Sequence, residues 1–186
     1  MHYQSAPLAS MSLTVANRFP SLKPAFENAR QFVGLYFASS WCPDCAPVTS
    51  ALKALYENQP SSADEPKDLE IVYISSDKSK EQMEASMSSS HGSWHAIPFE
   101  NTQERNDIKT FFGIWAAAEM TSLNLSRQDR VDGIPSLVIV DAETEQIVTT
   151  NGMAGLNKYG PTDVYHVWLS KKDQLTSREN KHDSNY

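Results

Sequence analysis

The sequence predicts an α/β domain with a mixed central sheet flanked by helices. Three observations carry that expectation. Two almost unbroken apolar runs, Phe32–Ser39 and Leu69–Ser75, are each followed by a segment of helical character, the alternation that builds a sheet covered by helices. A later pair of apolar segments, Pro135–Asp141 and Gln146–Gly152, is separated only by Ala142–Glu145, which is a hairpin by length and polarity. The chain of 186 residues is long enough for one domain with a substantial core.

The elements follow in order. Phe32–Ser39 has no polar face, so it is expected as a strand buried on both sides of the sheet. From Pro43 onward, Val48, Leu52 and Leu55 recur at helical spacing and form one amphipathic face. Pro43 suits the first helical position, where its missing N–H would have no partner. Pro47 comes early enough to be tolerated, with a bend in the first turns. A polar loop then leads to the second strand, Leu69–Ser75, and to a helix over 77–90 for which Asp77 is the expected cap. Residues 92–101 are expected as a loop anchored by aromatics, followed by a helix from an Asn101 cap to about Phe112. Residues 113–133 mix a short helix with a polar loop. After the hairpin, Pro161–Lys171 is a helix candidate, and the remaining stretch is polar enough to be disordered.

Composition removes some functions. The net charge is −7, the wrong sign for a nucleic-acid binder. The longest uncharged apolar run, Phe32–Cys42, is about half of a membrane span. The N-terminus has no basic start leading into an apolar run, so no secretory leader is expected. Two cysteines are too few for a secreted disulfide scaffold, and in a reducing compartment such a pair serves catalysis or metal binding more often than structure. The expected location is the cytoplasm, with the nucleus as a second compartment.

Both cysteines lie in Ser39-Ser40-Trp41-Cys42-Pro43-Asp44-Cys45, between the first strand and its helix. A pair at this spacing can be a redox couple, half of a zinc site or a staple. Its place at a helix start favours redox chemistry: free N–H groups and the helix dipole stabilise a thiolate at Cys42 and can lower such a thiol from about 8.5 into a range of roughly 3.5–7.5. Cys42 is then the attacking sulfur, and Cys45, one turn further on and less exposed, resolves the mixed disulfide. Pro43 removes one N–H donor, and Asp44 sets a carboxylate near the thiolate. Both moderate the acidity of Cys42, the property of a reductant. Zinc needs about four ligands. His91 and His95 have H-x3-H spacing but lie beyond the gap of about 12 to 15 residues seen in zinc fingers, so no metal is expected.

The blocks Leu35–Cys45, Trp94–Phe99, Gly133–Gly152 and Tyr165–Trp168 together resemble the tryparedoxin and nucleoredoxin branch of the thioredoxin superfamily. The W-C-x-x-C block and the Ile134-Pro135-Ser136-Leu137 block carry the resemblance jointly. It implies a thioredoxin-like fold and a cis Pro135 facing the cysteines, with the Ile134 backbone pairing with an extended substrate. Taken alone, Pro135 would be a trans proline opening a strand. Trp41 matches the residue that shapes the contact surface, against the rival reading of a core aromatic; Trp94 and Phe99 are as well explained by packing. The resemblance organises the chain as an N-terminal extension over residues 1–28, a thioredoxin-like domain over 29–172 and a polar tail over 173–186.

The chain departs from the family at three places. Asp44 replaces the second proline of C-P-P-C, as in small cytosolic thioredoxin-related proteins carrying W-C-P-D-C. Tyr36 stands where thioredoxins proper keep a buried acid six residues before the nucleophile. Extra residues, including Trp115, Met120, Leu123 and Leu125, lie between Phe112 and Gly133; helix-on-core packing is their expected use, with a partner surface as the alternative. The implied function is reduction of protein disulfides through Cys42 and Cys45 without a bound cofactor. The partners would be disulfide-containing proteins and an upstream reductase or dithiol donor, with Trp41, Pro43, Asp44, Ile134 and Pro135 contacting substrate. The alternative is a redox-sensing interaction module whose cysteine state controls partner binding.

Overall fold

A computed structural model describes residues 14–59 and 65–183. Its five strands are β1 (Ala29–Ala38), β2 (Lys67–Ser75), β3 (His95–Ala96), β4 (Ser136–Asp141) and β5 (Ile147–Thr149), laid side by side in the order β3-β2-β1-β4-β5. β1, β2 and β3 run parallel, and β4 and β5 are antiparallel additions, so the sheet is mixed as expected. The helices are α1 (Val15–Arg18), α2 (Lys23–Asn28), α3 (Cys45–Glu57), α4 (Lys80–Ser90), α5 (Thr102–Phe112) and α6 (Gly152–Asp183).

Strand alternation divides the interior into two cores. Phe32 and Tyr36 of β1 face one core with Leu52 of α3, Met83 of α4 and Trp168 of α6, while Val33, Leu35 and Phe37 face the other with Ile108 and Phe112 of α5. Burial of this apolar surface, at about 25 cal/mol per Å², is the main force holding helices to both faces. β1 is central, which explains why Phe32–Ala38 has no polar face.

The second core includes Val15, Phe19, Leu22 and Ala25. The described part of the expected N-terminal extension, residues 14–28, is thus packed into the domain; residues 1–13 lie outside the described residues. Two side chains tie it down. Glu145 accepts from the Ala16 amide at 2.6 Å, and Glu104 accepts from both the amide and hydroxyl of Ser21.

Several boundaries differ from expectation for local reasons. α3 begins at Cys45, with Pro43 and Asp44 in the preceding turn, which puts Pro47 in its first turn. Ser79, not Asp77, caps α4, accepting from the Gln82 amide; Asp77 is engaged elsewhere. The stretch 92–101 contains β3, whose two residues pair with Val72 and Tyr73. Only two single turns of 3-10 helix, Ala117–Glu119 and Arg127–Asp129, form between α5 and β4. Gly113 ends α5 in the left-handed conformation (φ 68°), which favours glycine there.

The terminal helix is longer than its sequence pattern. α6 runs from Gly152 to Asp183 with a break at Gly160 (φ 74°, ψ 174°) just before Pro161, a pairing that stops one helix and starts the next. It continues through residues 173–183, so helix replaces most of the expected disordered tail. Among the described residues, no helix is long and apolar enough to cross a membrane.

Candidate active site

The site grows from the end of β1. After Ala38 the chain turns, closed by hydrogen bonds from the Cys42 amide to the Ser39 carbonyl (3.3 Å) and from the Cys45 amide to the Cys42 carbonyl (3.1 Å). The second bond starts α3 and leaves Cys42 at the lip, with Cys45 in the first helical turn beneath it. Both thiols are free; Cys42 is 8% exposed and Cys45 2%, the relative order expected from the spacing.

Burial is the main cause that pushes the Cys45 thiol well above its ordinary value; contact with the Cys42 thiol and the carboxylate of Asp44 push the same way, against a hydrogen bond from the Ser39 backbone. Cys45 is therefore a protonated thiol at neutral pH. The structure brings the charge of Asp44 to bear on Cys45. Pro43 and Asp44 are both exposed beside Cys42.

The opposite wall is the loop before β4. The Ile134–Pro135 peptide is cis, as the family resemblance implies, and the Cys42 thiol points at the Ile134 carbonyl 4.0 Å away. Trp41 is 42% exposed, not a core aromatic, and its indole Nε1 donates to the Ser76 carbonyl at 3.0 Å. Thus Trp41, Pro43, Asp44, Ile134 and Pro135 all lie on the turn or loop that flank Cys42. Trp94 belongs to the core and donates to His91 Nδ1 at 3.2 Å, and Phe99 is half-buried under the Arg105 guanidinium; both are packing residues.

Beneath the cysteines, Tyr36 holds the position where thioredoxins proper keep an acid. Its hydroxyl shares a 2.8 Å hydrogen bond with Thr49 Oγ1 and donates to the Cys45 carbonyl at 3.3 Å. Burial raises its pKa, so it stays neutral and orients the helix start; it cannot receive a proton from Cys45 as a carboxylate would.

Sequence reasoning missed a polar network behind the turn. Asp77 Oδ1 accepts from the Ser40 amide at 2.7 Å, while Oδ2 accepts from the hydroxyls of Tyr73 (2.8 Å) and Ser75 (2.7 Å). Tyr73 also donates to the Ala38 carbonyl. One buried carboxylate therefore fixes the backbone two residues before Cys42. Lys109 of α5, 1% exposed, donates to the Ser75 carbonyl at 2.8 Å and pairs with Glu119, whose other oxygen accepts from the Ser76 hydroxyl. Burial lowers the Lys109 pKa and Glu119 opposes that shift. The available signal was a charge out of place: Arg105 and Lys109 sit among Ile108 and Phe112 on the buried face of α5.

His91 is buried and spends Nδ1 on Trp94, whereas His95 is exposed on β3. Among the described residues, no cluster of three or more His, Cys, Asp or Glu is placed to hold a metal. Within the extra segment Trp115 is buried, and Met120, Leu123 and Leu125 are half-buried.

Known proteins share this fold. The thioredoxin-like family pattern matches residues 30–146. The chain is 30% identical over 128 residues to a probable nucleoredoxin 3 of Oryza sativa subsp. japonica, covering 69% of this chain and 22% of the relative. It is 27% identical over 152 residues to nucleoredoxin of Danio rerio, covering 82% and 31% respectively. The chain thus spans under a third of the length of these curated relatives. Among solved structures, tryparedoxin II of C. fasciculata superposes with a TM-score of 0.54 at 28% identity, covering 72% of this chain and 73% of its own. Thioredoxin of Wuchereria bancrofti gives 0.52 at 28% identity, covering 80% and 86%.

Proposed function

The chain belongs to the thioredoxin-like family, and from that premise we propose that it is a thiol–disulfide oxidoreductase that reduces protein disulfides through Cys42 and Cys45. The observation that supports this best is the pairing of two free thiols of unequal burial at the start of α3, opposite the cis Ile134–Pro135 peptide. Cys42 as thiolate attacks one sulfur of the substrate disulfide, forming a mixed disulfide and expelling the other substrate sulfur as a thiolate. Cys45 then loses its proton and attacks the Cys42 sulfur. The second substrate thiol leaves, and a Cys42–Cys45 disulfide remains. The substrate gains two electrons and the protein loses two, which a reductase or a small dithiol restores.

The high pKa of Cys45 shapes this cycle. Burial keeps the resolving sulfur protonated while Cys42 attacks, so the two thiols do not compete for the substrate. Tyr36 is neutral and bonded, so the proton of Cys45 goes to solvent or to the departing substrate thiolate. The chain resembles nucleoredoxin and tryparedoxin in this reading, with the cytoplasm as its compartment and no bound cofactor.

The test is turnover and trapping. With a protein disulfide and a dithiol donor, wild type should turn over, Cys45→Ser should accumulate a mixed disulfide through Cys42, and Cys42→Ser should lose at least three orders of magnitude in rate. Full turnover by Cys42→Ser would end the assignment. Negligible wild-type turnover with every donor, accompanied by a change in partner affinity on oxidation, would favour the redox-sensing alternative.

A further inference from the structure

We propose that the cavity beside the Gly133–Pro135 loop is a carboxylate-binding subsite, which selects disulfide substrates carrying an acidic side chain next to the reducible bond. The inference rests on the reductase reading above and adds which substrates that site prefers. The cavity, about 460 Å³, lies under the extra segment and is lined by Trp115, Met120, Arg127, Arg130, Asp132 and Gly133, among others, a volume suited to a small group rather than a packing defect.

Arg130 is held in place. Its Nε donates to the carbonyl of the buried Trp115 at 3.0 Å, and its guanidinium rests against Gly133 so closely that a Cβ there would come within 2.2 Å of Nη2. The Nη donors of Arg130 and the whole guanidinium of Arg127 meet no acceptor among the described residues. The nearby carboxylates are engaged instead. Asp129 accepts from the amide and hydroxyl of Ser126, Asp132 accepts from the Gly133 amide, and Glu119 pairs with Lys109. Asp132 still lines the cavity and reduces its positive potential. Two exposed guanidinium groups whose remaining donors meet no acceptor among the described residues match a carboxylate, which a guanidinium binds through paired hydrogen bonds.

The subsite adjoins the reacting sulfur. Gly133 precedes Ile134, whose carbonyl is 4.0 Å from the Cys42 thiol. An extended substrate advances about 3.3 Å per residue, so an Asp or Glu two or three residues from the attacked cysteine reaches Arg130. A carboxylate bound there holds the disulfide along the groove; it takes no part in the exchange itself.

The experiment is a competition in one tube between two amidated, acetylated peptides, each with one intramolecular disulfide and differing only by Glu or Gln three residues from a cysteine. Wild type should consume the Glu peptide about five- to tenfold faster, a preference that shrinks as salt is raised from about 0.05 to 0.5 M. In Arg127→Gln/Arg130→Gln the ratio should fall to near one, and Arg130→Glu should turn the preference toward a Lys peptide. Because the ratio is internal, partial loss of folded protein does not alter it. Equal consumption of both peptides by wild type, or a preference that survives in the double variant, would overturn the subsite alone. Reduction of neither peptide would overturn the reductase reading, and the subsite with it.

Discussion

The two lips of the groove around Cys42 are built on different principles. One lip, Ser39–Asp44, is a tight turn joining β1 to α3; its backbone hydrogen bonds span three residues, and Asp77 and the Ser76 carbonyl brace it from behind. The other lip, from Gly113 to Pro135, is held by side-chain bonds, within itself and to the turn behind Cys42. Glu119 reaches back to Ser76 and to Lys109, and Arg130 reaches Trp115. The first lip is local and transferable between proteins. The second is longer and less regular, so it is where selectivity has room to differ.

If the second lip depends on buried charge pairing, breaking that pairing should have the largest effect. Glu119→Gln leaves Lys109 charged, buried and facing an amide, and should cost about 3 kcal/mol of stability, read as a lower denaturant midpoint. Combining it with Lys109→Met should recover most of the loss. A Glu119→Gln variant as stable as wild type would show that the pair does not anchor this lip.

The floor beneath the first lip is sharpened by pH. Burial holds His91 at about 4, below its ordinary 6.5, against a smaller upward pull from Asp77. The unfolded chain therefore takes up the proton first, and the folded form loses stability as pH falls from about 6.5 to about 4. The loss should be on the order of 2–3 kcal/mol at about 1.4 kcal/mol per pH unit. The measurement is the unfolding midpoint between pH 7 and 4, and His91→Phe should flatten that slope. An identical slope in the variant would assign the acid sensitivity to other groups, such as the lip carboxylates.

The smallest effect is expected within the first lip itself. Asp44 is exposed and acts on Cys45 as the weakest of several causes. Asp44→Asn should lower the pH at which Cys45 ionises and speed resolution of a mixed disulfide at neutral pH by about twofold, seen in single-turnover kinetics. A slower resolving step would mean that the carboxylate assists Cys45 instead of opposing it.

What could be read directly was whatever is local. The apolar runs place β1 and β2, the hairpin length places β4 beside β5, and the C-x-x-C spacing at the start of α3 sets Cys42 above Cys45. These follow from short-range rules: alternation, helical period and capping act over a few residues. Even there, α3 begins at Cys45 rather than Pro43, and Ser79 caps α4 while Asp77 bonds to the turn before Cys42.

The tertiary structure alone decided the rest. That Asp77 fixes Ser40, that Lys109 is buried on Glu119, that Trp41 is exposed and that residues 173–183 are helical depend on what the fold packs beside them. A charged residue looks solvated in sequence until a partner from elsewhere in the chain neutralises it, and only then does burying it cost little enough to occur. Sequence by itself therefore determined the family's fold and the pair of sulfurs; the surroundings that tune and select were determined by contacts the linear order does not display.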